Sequence, residues 1–201
     1  MLPRSSLLRT AGRLLALGAG LTLAGSPSPA PAQPVPFSEV ALHAGGNALL
    51  DAGALEPFYH ASPGVEAAAS TPFYAGVAGL DMGLRRFEGR GTRARENLWA
   101  VPVAVHWGVR PGPGGLRLEA SLHLGTFLMR FSKGGAGLRN ENELLMGTEA
   151  GLSLPLGGRW RLALGARYEH VFTSTAFSLW KVRAGVRRRF DAPRWLQTLL
   201  Q

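Results

Sequence analysis

His123 is one of the few residues in this chain whose type and neighbours could move a proton. Glu119 precedes it by four positions and Glu149 follows in the next apolar segment, and an imidazole beside a carboxylate is the elementary general acid–base pair. The competing reading is a set of paired charges filling a narrow interior, where a lone charge would be costly. A metal centre is not expected, because no histidine pair shows ligand spacing, and no cofactor is expected. The chain has no cysteine, so no disulfide and no lipidated N-terminal thiol can form. A third chemistry is phosphate binding. Arg86, Arg90, Arg93 and Arg95 crowd one polar stretch, and guanidinium groups bind phosphate oxygens in pairs. A solvated charged loop would look the same. The basic excess, a formal +9, comes with no expected nucleic-acid partner.

The elements that carry these residues are strands. From Leu179 to Phe190 the sequence alternates: Trp180, Val182, Ala184, Val186 and Phe190 share one face, and Lys181, Arg183, Gly185, Arg187 and Arg189 share the other. The pattern recurs upstream. Eight strands are predicted, over 37–45, 64–71, 73–87, 98–109, 115–131, 142–154, 159–172 and 178–190. The second is the weakest, since alanine has poor strand preference. Connections one, three and five are long, and two, four and six are short. Pro102 interrupts the fourth strand and predicts a bulge there.

The two faces differ in kind. Leu116, Leu118, Ala120, Leu122, Leu124 and Leu128 oppose Arg117, Glu119, Ser121, His123 and Gly125. The polar face mixes glycine with both signs of charge, which suits a narrow lumen, and the uniform apolar face suits lipid. The chain therefore reads as an all-β, eight-stranded antiparallel up-and-down transmembrane barrel, apolar outside and polar inside. Its predicted inward network comprises Glu39, His43, Asp81, Arg85, Arg117, Glu119, His123, Glu149, Arg167, Glu169, Lys181, Arg183, Arg187 and Arg189, with Glu66, His106, Glu143 and Arg161 on the same face. Register places Glu169 opposite Lys181, His123 opposite Glu149, and Glu39 level with Arg187 and Arg189. Two aromatic girdles are predicted. Tyr74, Trp107, Trp160 and Phe190 fall near the short turns, and Trp99, Tyr168, Phe172 and Trp180 near the long loops.

The ends fit this plan. Arg4, Arg9 and Arg13 precede the apolar run Leu14–Gly25, and Ala30-Pro31-Ala32 reads as a cleavage site before Gln33. Residues 1–32 are thus a predicted signal peptide, 33–190 the barrel and 191–201 a short periplasmic tail. Loss of the signal peptide lowers the formal charge from +9 to +6, because those three arginines are its only charged residues. Within the tail, 193–200 suggest a short interfacial helix. Loop one carries Leu49, Leu50, Leu55, Phe58 and Tyr59, apolar enough to bind a partner or to fold over the barrel mouth.

In these respects the chain resembles the small eight-stranded outer-membrane barrels of the OmpA/OmpX/OmpW type. Arg183, Gly185 and Phe190 match that family's C-terminal assembly signal. Arg188 departs from it, and eleven residues follow Phe190. The resemblance implies a monomer in the bacterial outer membrane, in contact with membrane lipid and lipopolysaccharide, inserted by the barrel assembly machinery. It implies a structural or surface-binding role without catalysis. Lipid A deacylases share the strand number and imply a different reading, in which Glu169, His170, Thr173 and Ser174 supply hydrolytic residue types, although the tight His-x-Ser-Asn spacing is absent. A narrow transporter of small apolar molecules is the third.

Overall fold

A computed structural model describes residues 35–91, 96–112, 115–132 and 140–200. The described residues form nine strands, a 3-10 turn at Gly53–Leu55 and one short α-helix: β1 (Glu39–Asp51), β2 (Tyr59–Ala61), β3 (Gly64–Phe73), β4 (Gly76–Gly89), β5 (Leu98–Val109), β6 (Arg117–Phe131), β7 (Glu141–Gly157), β8 (Trp160–Phe172), β9 (Phe177–Asp191) and α1 (Arg194–Leu200). Apart from β2, each strand pairs antiparallel with its chain neighbour, β9 returns to β1, and β4 pairs with β5. The result is a closed eight-stranded up-and-down barrel. The three-residue β2 is an annex that adds to the upper end of β4.

The apolar face is on the outside. Leu80, Val105, Leu118, Leu122 and Leu124 are all at least half exposed on the outer wall. Both girdles also face outward: Tyr74, Trp107 and Trp160 lie at the short-turn end with Phe190, and Trp99, Phe172 and Trp180 lie at the loop end with Tyr168. Tyr168 and Trp180 pack with their rings tilted by 51° and centroids 5.0 Å apart. Arg188, the departure noted above, has its guanidinium 5.1 Å from the Trp160 ring and 4.9 Å from the Phe190 ring. Two aromatic faces thus support this cation on an otherwise apolar wall.

Several expectations need correction. The first strand runs on to Asp51, because residues 46–51 continue the ladder with β9 although their Gly, Asn and Ala content reads as loop. Pro72 lies within β3, and the turn falls at Tyr74 and Ala75. No bulge forms at Pro102. The β4–β5 ladder loses its pairs beside the proline, but Met82 faces Val103 and Arg85 faces Ala100 in one unbroken register. Gly83 stands beside the ring, where a Cβ would meet Pro102 Cγ at 3.2 Å. An empty position thus takes up the proline ring without an inserted residue.

At the β1–β9 seam Gly45 faces Gly185. A Cβ on Gly45 would lie 2.8 Å from the Gly185 Cα, so the backbones meet where neither residue carries a side chain. The predicted signal peptide lies outside the described residues. Residues 194–200 form the expected helix, with Trp195 exposed.

Candidate functional site in the barrel interior

Alternation delivers one residue in two to the lumen, and the lumen has two storeys. The lower and middle levels are ionic. Arg167 reaches across the barrel from β8: its Nη1 donates to Asp81 Oδ1 at 2.6 Å and its Nε to Glu149 Oε2 at 2.8 Å. Arg183 Nη1 donates to the same Glu149 oxygen at 2.6 Å and bridges to Glu66 through its Nε. His43 Nε2 lies 3.2 Å from Glu66 Oε1. Lys181 Nζ donates to Glu169 Oε1 at 2.6 Å. Asp81 Oδ2 meets His106 Nδ1 at 3.1 Å and His123 Nδ1 at 3.0 Å. Nearer the short turns, Arg187 grips Glu119 through both terminal nitrogens, and Arg110 Nε lies 3.6 Å from that carboxylate.

The upper storey is apolar, which the alternation argument missed. Phe87, Leu98, Ala100, Phe127, Met129, Leu145, Val171, Phe177 and Leu179 pack together with Ala52. Phe127 and Phe177 meet edge to face at 5.8 Å. Loop one folds back over this cluster with Leu55, Tyr59 and Ala61. Arg85 Nη1 donates to the Ser62 carbonyl at 3.0 Å, Ser62 N–H to the Arg86 carbonyl at 3.0 Å, and Arg90 N–H to the Phe58 carbonyl at 2.8 Å. Burial under this lid, and then Glu96, raise the Tyr59 phenol above its ordinary pKa. The signal was in the sequence: at the loop ends both faces are apolar, as in Leu98-Trp99-Ala100-Val101 and Val171-Phe172.

The expected pairs Glu169–Lys181, His123–Glu149 and Glu39–Arg189 form, but not between residues directly opposite in the ladders. Glu169 faces Leu179, and Lys181 faces Arg167. His123 faces Gly147, and Glu149 faces Ser121. In each hairpin the loop centre lies one residue earlier than expected. That slides the register by two and keeps every side chain on its face. The pairs therefore form diagonally, with His123 Nε2 3.6 Å from Glu149 Oε2. Glu39 faces Asp191 and reaches Arg189 at 3.4 Å, whereas Arg187 crosses the lumen to Glu119. Arg117 points inward from β6 without an ion pair among the described residues. Arg86 and Arg90 lie at the loop end of β4, and Arg93 and Arg95 fall outside the described residues. Sequence reasoning overlooked Arg130. It faces Trp99, which in turn faces Arg86, so a tryptophan stands between two outward arginines at the loop-end girdle.

Free space inside is small. Among the described residues, cavities of about 30, 20 and 10 Å³ lie inside the barrel. The largest lies in the ionic storey, and the next lies where the two storeys meet.

No protein-family model and no curated protein sequence matches the chain. Among solved structures, Neisserial surface protein A superposes with a TM-score of 0.58 at 13% identity, covering 78% of this chain and 100% of that one. The N-terminal β-barrel domain of Pseudomonas aeruginosa OprF superposes with a TM-score of 0.51 at 12% identity, again over 78% and 100%. The fold is that of the small outer-membrane β-barrels. The likeness is one of backbone architecture. The interior of this barrel is filled by ion pairs below, an apolar cluster above, and a lid.

Proposed function

We propose that the protein is an integral component of the bacterial outer membrane, with a structural or surface-binding role and no catalysis. The filled interior carries this reading. Paired charges and the apolar upper storey make the lumen a plug, so function falls to the outer rim and the loops. A transporter of small apolar molecules would need a continuous passage, and the cavities of about 30 Å³ or less give it no support. The rim has chemistry for lipopolysaccharide. Arg86 and Arg130 flank Trp99 where phosphates of an outer leaflet would lie, with Arg90 just above. Residues 1–32 act as a cleaved signal peptide, and the barrel assembly machinery inserts the chain as a monomer through the β9 signal. The test is electrical. Purified protein in planar bilayers is expected to show no stable conductance, and large, steady, porin-like currents would overturn the plug.

One observation favours a second reading as a lipid hydrolase. On the outer wall Ser178 Oγ lies 3.0 Å from His170 Nδ1 and 2.8 Å from Tyr168 Oη. The serine differs from the one expected at Ser174. A serine and histidine in contact at lipid level are the start of an acyl-transfer site, but among the described residues no carboxylate orients the imidazole. Loss of an acyl chain from lipid A on expression, abolished by Ser178→Ala, would establish the enzyme.

A further inference from the structure

We propose that the ionic storey holds a divalent transition-metal ion between Asp81, His106 and His123. The three residues come from adjacent strands. His106 and His123 face each other directly across β5 and β6, and Asp81 is two residues from Gly79, which faces His106 across β4. Their spacing along the chain conceals what the register brings together.

The geometry is close to that of a ligand set. Asp81 Oδ2 lies 3.1 Å from His106 Nδ1 and 3.0 Å from His123 Nδ1, and the three ligand atoms fall within 4.8 Å of one another. Ligands about 2.0–2.1 Å from a tetrahedral ion stand roughly 3.3 Å apart, so the two short edges open by a few tenths of an ångström and the histidine–histidine edge, at most 4.8 Å, closes toward the same value. Gly79 seats one of the rings: a Cβ there would sit 2.6 Å from His106 Cε1. His123 also has an outer partner. Its Nε2 lies 2.9 Å from Ser121 Oγ and 3.6 Å from Glu149 Oε2, the arrangement that orients a metal-bound imidazole. Binding needs both Nδ1 atoms unprotonated. The proton on each neutral ring then sits on Nε2, and that of His123 is donated to Ser121 or Glu149, so no proton need be lost.

Asp81 is held by Arg167 through its other oxygen, Oδ1, at 2.6 Å, which leaves Oδ2 toward the two imidazoles. The cavity of about 30 Å³ borders Asp81, His106, His123 and Ser121 and has room for a water to complete the coordination. Two imidazoles and one carboxylate suit Zn²⁺ or Co²⁺ better than Ca²⁺ or Mg²⁺, which favour all-oxygen shells.

The experiment uses the full chain, purified in detergent without a histidine tag, stripped with chelator and titrated with Co²⁺. One equivalent should bind with the visible absorption of a low-coordinate ion, and Zn²⁺ should displace it. His106→Ala and His123→Ala should each weaken binding by more than the roughly 10–100-fold typical of losing an outer-shell partner. His60→Ala, at an exposed position, should leave binding unchanged. Folding of each variant is read from its unboiled gel mobility, and Asp81→Asn, which keeps the shape of the side chain, serves where an alanine variant does not assemble. Failure of the unmodified protein to take up stoichiometric Co²⁺ would overturn the site. Uptake that survives both histidine substitutions in folded protein would overturn it equally.

Discussion

Lys181 Nζ lies 2.6 Å from Glu169 Oε1, yet neither residue is the other's partner in the β8–β9 ladder. Both are buried, with side-chain exposures of 7% and 2%. Glu169 also lies 3.6 Å from Arg167 Nη1, so one carboxylate serves two cations. Removing it strands Lys181, while Arg167 keeps Asp81 and Glu149. Glu169→Ala should destabilise the folded barrel by about 3–5 kcal/mol, the usual result of breaking a buried pair from one side. Replacing Glu169 and Lys181 together with uncharged residues should recover part of that loss. Urea titration in lipid vesicles measures both, and a Glu169→Ala variant as stable as its parent would refute the account.

The upper storey makes a separate prediction. Phe127 is 1% exposed and packs against Phe177. Phe127→Ala should cost about 3–5 kcal/mol, and Phe127→Leu much less, because the cavity left is smaller. The same titration reads this, and a loss below about 1 kcal/mol for the alanine variant would show that the cluster and its lid contribute little.

Topology can be checked with inserted tags. A tag between Glu56 and Pro57, or at Gly91, should be reachable from outside intact cells, and a tag at Gly112 or Gly158 should not. The first site lies beyond residues 46–51, which read as loop in the sequence but belong to β1. Labelling in the opposite sense would invert the orientation.

Arg188 should tolerate some changes and not others. Arg188→Ala removes a cation held by two rings and should cost about 1 kcal/mol. Arg188→Glu should cost more, since a carboxylate would meet the negative faces of Trp160 and Phe190. Equal urea midpoints for the two variants would rule out the cation–π account.

Much of this was legible in the sequence, and the rest was hidden for definable reasons. The face of each strand could be read, because a period of two assigns every residue to lipid or lumen without knowledge of its neighbours. Partners within the lumen could not, because they depend on where each hairpin turns. One residue of error in a loop centre moved Lys181 from Glu169 to Arg167 in the ladder. Residues 46–51 were missed for a related reason: their strand state comes from pairing with β9, not from local preference. The His106–His123 pairing is of the same kind, a product of register between two strands.

The ionic network has a consequence for assembly. It takes His43 from β1, Glu66 from β3, Asp81 from β4, His106 from β5, His123 from β6, Glu149 from β7, Arg167 from β8 and Arg183 from β9. Every wall strand contributes a member, so the network is complete only when all the strands are in place. A partial barrel would turn bare carboxylates and guanidinium groups toward lipid, at a cost it has no contacts to offset. Closure is therefore close to all-or-none. Stable half-barrels are not expected from this chain, and a circular permutant that keeps all the strands should fold where deletion of a single hairpin does not.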